Sequence, residues 1–175
     1  MTVRANKSLM LLLTCVPGWT MAADAVMRSG FETSTCSFSF ELEPNDAPAS
    51  ATAVYVDPAT KSAVICGENA PPFGSDVDYF EFPIASTSTL VAETIKGDGA
   101  ACASNSPQSL TVYDSSLAVI ATDSGGGTDG CASLDGTISA SLQNLPPGNY
   151  YLKVAIPVVA AETTSLPYAL SIKLL

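Results

Sequence analysis

The sequence predicts an all-β fold, an antiparallel β-sandwich of about eight or nine short strands. Three observations carry that expectation. Apolar and polar residues alternate in stretch after stretch, the mark of a strand with one buried and one wet face. Clusters of Gly, Pro and Asp punctuate those stretches at regular intervals. No stretch of useful length spaces its apolar residues for an amphipathic helix. The chain has 175 residues, which suits one domain with a real core.

Residues 1–25 read as a secretory signal peptide outside the fold. Arg4 and Lys7 form a short basic region, and Leu9 to Val16 is an apolar run too short to span a bilayer. Pro17-Gly18 breaks the run, and the small residues Ala22, Ala23 and Ala25 offer the cleavage site. Residues 26–40 form a Ser/Thr-rich N-terminal arm, and residues 41–175 form the sandwich. No later stretch is long and apolar enough for a membrane span. The expected localisation is secreted or periplasmic.

Within the sandwich, Glu41 to Pro48 is a polar loop, because Pro44 and Pro48 bar a helix or a central strand. Ala53 to Val56 and Ser62 to Cys66 are short apolar runs around an Asp57-Pro58 turn, and Gly67 ends the second. Asp78 to Ile84 alternates, with Tyr79 and Glu81 on one face and Phe80 and Phe82 on the other. Thr89 to Ile95 alternates again. Leu110 to Tyr113 and Leu117 to Ala121 flank Asp114-Ser115-Ser116, a β-hairpin with a short polar turn. Thr137 to Leu142, Asn149 to Ile156 and Tyr168 to Leu174 alternate in the same way.

Composition narrows function. With 17 acidic against 7 basic residues, the net charge is −10, which disfavours nucleic acid and anionic membranes as partners. There is no His, which removes Ser-His-Asp and Cys-His mechanisms and the common zinc sites. With no GxSxG motif either, the chain is read as a non-enzyme.

Acidic residues gather in two places. Glu41, Glu43, Asn45 and Asp46 lie in the polar loop, and Asp76 and Asp78 stand at the mouth of a strand with no neighbouring Lys or Arg. If the two segments meet, six oxygen-bearing side chains converge. Calcium takes six to eight oxygens from such groups. Water or local backbone N–H groups are the alternative neutralisers.

Setting aside Cys15 in the leader leaves Cys36, Cys66, Cys102 and Cys131, an even number that suggests two disulfides in an exported chain. Cys102 precedes the hairpin and Cys131 follows it, so both return to one end of the sheet. The expected pairs are Cys102–Cys131 and Cys36–Cys66. Tyr113, Tyr150, Tyr151 and Tyr168 are candidates for an aromatic ligand-binding strip.

Several motifs occur together in order: Glu43-Pro44-Asn45-Asp46, a Cys66-Gly67 turn, Asp76-Val77-Asp78-Tyr79-Phe80, Leu110-Thr111-Val112-Tyr113-Asp114, and Leu145-Pro146-Pro147-Gly148-Asn149-Tyr150-Tyr151-Leu152-Lys153-Val154. In this the chain resembles the bacterial pre-peptidase C-terminal domain family, over roughly residues 41–174. The resemblance implies a jelly-roll-like sandwich on secreted proteins, an accessory domain without catalysis of its own. The related collagen-binding domains of secreted collagenases bind calcium, which implicates Glu41, Glu43, Asn45, Asp46, Asp76 and Asp78 as ligands. The implied partner is an extracellular protein or polysaccharide, or a secreted protease. A structural domain of the cell envelope with no specific ligand is the other reading.

Overall fold

Ten strands in two five-stranded sheets account for the described part of the computed structural model, which covers residues 39–71, 76–96, 108–125, 131–156 and 165–175. In chain order they are β1 (Ser39–Phe40), β2 (Thr52–Ala53), β3 (Ser62–Asn69), β4 (Val77–Ile84), β5 (Leu90–Lys96), β6 (Ser109–Tyr113), β7 (Val119–Asp123), β8 (Ser133–Asp135), β9 (Gly148–Ala155) and β10 (Leu166–Leu174). The first sheet runs β1-β3-β10-β5-β8 and the second β2-β4-β9-β6-β7. All described strands belong to the compact unit Thr33–Leu175. The leader expected at residues 1–25, and Cys36 and Cys102, lie outside the described residues.

The period of two does what the sequence requires. On β4, Asp78, Phe80, Phe82 and Ile84 are buried; on β9, Tyr150, Leu152 and Val154; on β10, Tyr168, Leu170, Ile172 and Leu174. These faces pack against Leu90 and Ala92 of β5 and Leu110 and Val112 of β6 to form one core. Burying each such large apolar side chain contributes roughly 1.5–3 kcal/mol. Phe80 and Tyr168 meet edge to face across the two sheets, with ring centroids 6.5 Å apart.

Three elements differ from expectation. Gly67 does not end its strand: β3 runs through it to Asn69, paired in register with Tyr168. A Cβ there would stand 2.4 Å from the Tyr168 ring tip, so the glycine serves a close approach within the sheet. The alternation over Thr137–Leu142 is not a strand. The sheet segment is β8, and Ala140–Leu142 is a single 3-10 turn that buries Leu142 and leaves Ile138 86 % exposed. Six alternating residues fit a turn as well as a strand. Finally, the pairing is not wholly antiparallel: β1 runs parallel to β3, and β2 parallel to β4. β1 also carries the sheet two residues into the segment read as an arm.

Those two short strands position the site. Between β1, on the edge of one sheet, and β2, on the edge of the other, residues 41–51 cross the end of the sandwich. This crossing strap holds Glu41, Glu43, Asn45 and Asp46.

Candidate metal centre

Backbone bonds pin the strap to both sheets. The Glu41 N–H donates to the Cys66 carbonyl of β3 at 2.9 Å, and the Tyr79 N–H of β4 donates to the Asn45 carbonyl at 3.1 Å. The Thr52 hydroxyl oxygen accepts from the Leu42 N–H at 3.0 Å and from Asn45 Nδ2 at 3.2 Å. The strap therefore has one defined path over the sheet ends.

Glu41, Glu43 and Asp78 converge, each placing a carboxylate oxygen within 4.8 Å of the others. Asp78 points inward from β4 and is wholly buried. Its Oδ2 accepts from Asn69 Nδ2 of β3 at 2.7 Å and from the Tyr168 hydroxyl of β10 at 2.5 Å. Glu41 Oε1 accepts from the Glu68 N–H at 2.6 Å, and its Oε2 from Asn45 Nδ2 at 3.3 Å and the Tyr168 hydroxyl at 3.5 Å. Glu43 Oε2 accepts from the Asn45 N–H at 3.0 Å. Strap, first sheet and second sheet thus meet at one cluster.

Asp46 and Asp76 stand beside it in a different capacity. The exposed Asp46 carboxylate accepts from the Val77 N–H at 3.4 Å. Asp76 accepts from the Ala70 N–H. Both hold the chain where it enters β4, and both add negative charge to the cluster.

The electrostatics are unrelieved. Burial first, then the neighbouring carboxylates, push Asp78 up to about 9 and Glu41 up to about 7. Burial also raises Glu43 and Asp76. Among the described residues, every charged neighbour acting on these four groups is another carboxylate. Metal-free, the cluster can lower this repulsion by holding protons.

The donor set fits a hard divalent cation. Among the described residues, Asn45 Oδ1, Asn69 Oδ1 and Asp78 Oδ1 are buried and have no hydrogen-bond partner. An orphaned buried oxygen ordinarily costs about 1–3 kcal/mol, and buried polar atoms are rarely left so. Both asparagine amides have a fixed sense, because Nδ2 donates to a carboxylate in each case and leaves the carbonyl oxygen free. Oxygens of this kind, carboxylate and amide together, are what calcium takes as ligands.

The expected tyrosine strip is corrected. Tyr150 and Tyr168 face the core at 4 % and 1 % exposure, because they share the parity of Leu152 and of Leu170. The Tyr150 hydroxyl donates to the Pro146 carbonyl at 2.8 Å, and Tyr168 belongs to the acidic cluster. Tyr113 and Tyr151 do share the outer face of the second sheet, opposite each other in register. Tyr79 joins them, its ring centroid 6.2 Å from that of Tyr113. The parity of Asp78 to Ile84 already put Tyr79 outward; the register between strands was the missing information.

Sequence motifs missed Asn69 and the role of Tyr168. The one local signal was Gly67, a glycine inside a strand. Cys66 and Cys131 are both buried and disulfide-bonded.

No protein-family model matches the chain, and neither does any curated protein. Solved structures do. The pre-peptidase C-terminal domain of the collagenase from Bacillus anthracis is similar at 20 % identity and a TM-score of 0.43, over 63 % of this chain and 87 % of that one. PliG of Aeromonas hydrophila, a periplasmic inhibitor of g-type lysozyme, is similar at 12 % identity and a TM-score of 0.44, over 78 % of this chain and 98 % of that one. The Salmonella Typhimurium PliG gives 14 % identity and a TM-score of 0.41, over 71 % and 97 %. Among the described residues, no helix is long and apolar enough to cross a membrane.

Proposed function

We propose that this chain is a non-catalytic, exported binding or accessory module whose two sheets are clasped at one end by a calcium ion. The observation that carries the cation is the set of three buried oxygens, on Asn45, Asn69 and Asp78, that have no partner among the described residues, with carboxylates that no described basic group neutralises. Glu41, Glu43 and Asp78 would hold the ion, with Asn45 beside them; Asp46 and Asp76 supply charge and fix the strand entrance. Bound there, calcium would neutralise the cluster and tie the strap to both sheets.

The partner in this reading is an extracellular protein or polysaccharide, or a secreted hydrolase that the module assists. Tyr79, Tyr113 and Tyr151, on the outer face of the second sheet, give it an amphipathic surface. The leader-like residues 1–25 and the cysteine count support export to the periplasm or beyond. Disulfides pair as Cys36–Cys66 and Cys102–Cys131, and the alternation of successive strands between sheets supports a jelly-roll-like connectivity.

Calorimetric titration of chelator-stripped protein with calcium tests the cation, and a binding screen against matrix proteins, glycans and secreted hydrolases, with and without calcium, tests the module. Saturable binding of calcium and of one partner class supports the reading. Absence of partner binding across the panel would leave a structural domain of the envelope. Turnover of generic ester or peptide substrates would overturn the non-catalytic assignment.

A further inference from the structure

We infer that Asn69 is itself a ligand of this cation, reached from the β3 side and lying outside both acidic motifs. The inference rests on the cation reading above and adds a residue to it. Asn69 is the last residue of β3 and is wholly buried. Its Nδ2 donates to Asp78 Oδ2 at 2.7 Å. This bond puts the nitrogen end of the amide on Asp78 and leaves the carbonyl oxygen as its other end. Among the described residues, that oxygen, Asn69 Oδ1, has no donor, and neither does Asp78 Oδ1.

Two side chains from two different sheets are therefore joined through one hydrogen bond, and each keeps one unsatisfied oxygen. An asparagine needed only to steady Asp78 has no reason to bury its carbonyl against nothing. A third free oxygen, Asn45 Oδ1, comes from the strap, whose amide lies on Glu41. Strap, β3 and β4 each carry one unpaired oxygen on a side chain that belongs to the Glu41–Glu43–Asp78 group or is hydrogen-bonded to it. Calcium accepts amide carbonyls together with carboxylates and tolerates irregular shells, whereas magnesium demands a tighter octahedron and keeps its waters. With Asn69 as ligand, the ion bridges the two sheets directly.

The experiment is calcium titration calorimetry on the purified, oxidised protein and on Asn69→Leu and Asn69→Asp. Leucine matches asparagine in size and removes the oxygen and the donor. Aspartate keeps an oxygen and loses the donor to Asp78. The expected result is calcium binding by the parent chain, a Kd raised about tenfold or more in Asn69→Leu with an unchanged circular dichroism spectrum, and retained affinity in Asn69→Asp. Should Asn69→Leu fail to fold, Asn69→Asp decides alone. Affinity retained there, with a melting temperature that drops in chelator and recovers in calcium, supports the ligand role, and a folded Asn69→Asp that loses calcium about tenfold overturns it. Equal affinity of Asn69→Leu and the parent overturns the inference while leaving the cation site standing. No calcium binding by the parent removes the cation reading, and this inference falls with it.

Discussion

Replacing Gly67 with alanine should damage the site and the fold together, by an amount the geometry sets. A Cβ at this position would lie 2.4 Å from Cζ and from the hydroxyl oxygen of Tyr168, and 2.7 Å from Glu41 Oε2. Ordinary contact between such atoms is about 3.5–4.0 Å, so the ring tip and the carboxylate must each retreat by roughly 1 Å. Tyr168 has little freedom to do so, being 1 % exposed and wedged edge-on against Phe80. Overpacking of this kind costs about 1–3 kcal/mol. Moving the hydroxyl also stretches its 2.5 Å bond to Asp78, and depriving a buried acceptor of a donor costs about 1–3 kcal/mol. The combined loss is roughly 2–6 kcal/mol, which for a unit of this size lowers the melting temperature by about 6 °C or more. Scanning calorimetry in chelator measures it. A Gly67→Ala protein that melts within about 2 °C of the parent would refute the reasoning, because it would mean that the Tyr168–Glu41–Asp78 seat yields without resistance.

Other expectations follow from the same contacts. Tyr168→Phe removes the donor to Asp78 while keeping the ring in the core, and should cost about 1–3 kcal/mol by denaturant titration together with weaker calcium binding. Metal-free protein should lose stability as pH rises. Burial holds protons on Glu41 up to about 7 and on Asp78 up to about 9, whereas the unfolded chain releases them near about 4. Between those values the folded state binds more protons, so its contribution is fully present below the unfolded value and is lost on passing upward through the folded ones. Urea titrations in chelator at several pH values between the two limits should follow that slope, and saturating calcium should flatten it. Phe82→Ala should cost about 3–5 kcal/mol with no change in calcium affinity, since Phe82 is wholly buried two positions further into β4 than Phe80. Tyr151→Ser, on the outer face, should leave stability within about 1 kcal/mol and weaken binding of whatever partner the screen identifies.

Strand parity made most of the fold legible from the sequence. β4, β9 and β10 show the expected inward faces because a one-residue slip would turn Phe80, Leu152 or Leu170 to water. What parity cannot give is which strands are neighbours. β3 and β10 are separated by about a hundred residues of chain, yet their register sets Gly67 opposite Tyr168 and so admits a tyrosine hydroxyl to the acidic cluster. Two-residue strands such as β1 and β2 carry no periodic signal at all, and they define the path of the strap. Within the site, Glu41, Glu43 and Asp78 were legible as paired motifs, since unneutralised acids in a polar loop and at a strand mouth invite a common explanation. Asn69 was not, because a single amide at the end of an apolar strand resembles any strand terminus until its hydrogen bonds are counted.

The most direct measurement is thermal unfolding of the oxidised protein with calcium and with chelator, for the parent and for Asp78→Asn. An ion that binds only the native state stabilises it by about 2.7 kcal/mol at a hundredfold excess over Kd, and that should raise the parent's melting temperature by several degrees. Asp78→Asn removes a buried charge but keeps the side chain's shape. In chelator above about pH 9, where the parent would carry that charge, it should be at least as stable as the parent, and it should lose the calcium shift. A parent chain that melts at the same temperature in millimolar calcium and in chelator would contradict the metal centre and return its carboxylates to a purely structural role.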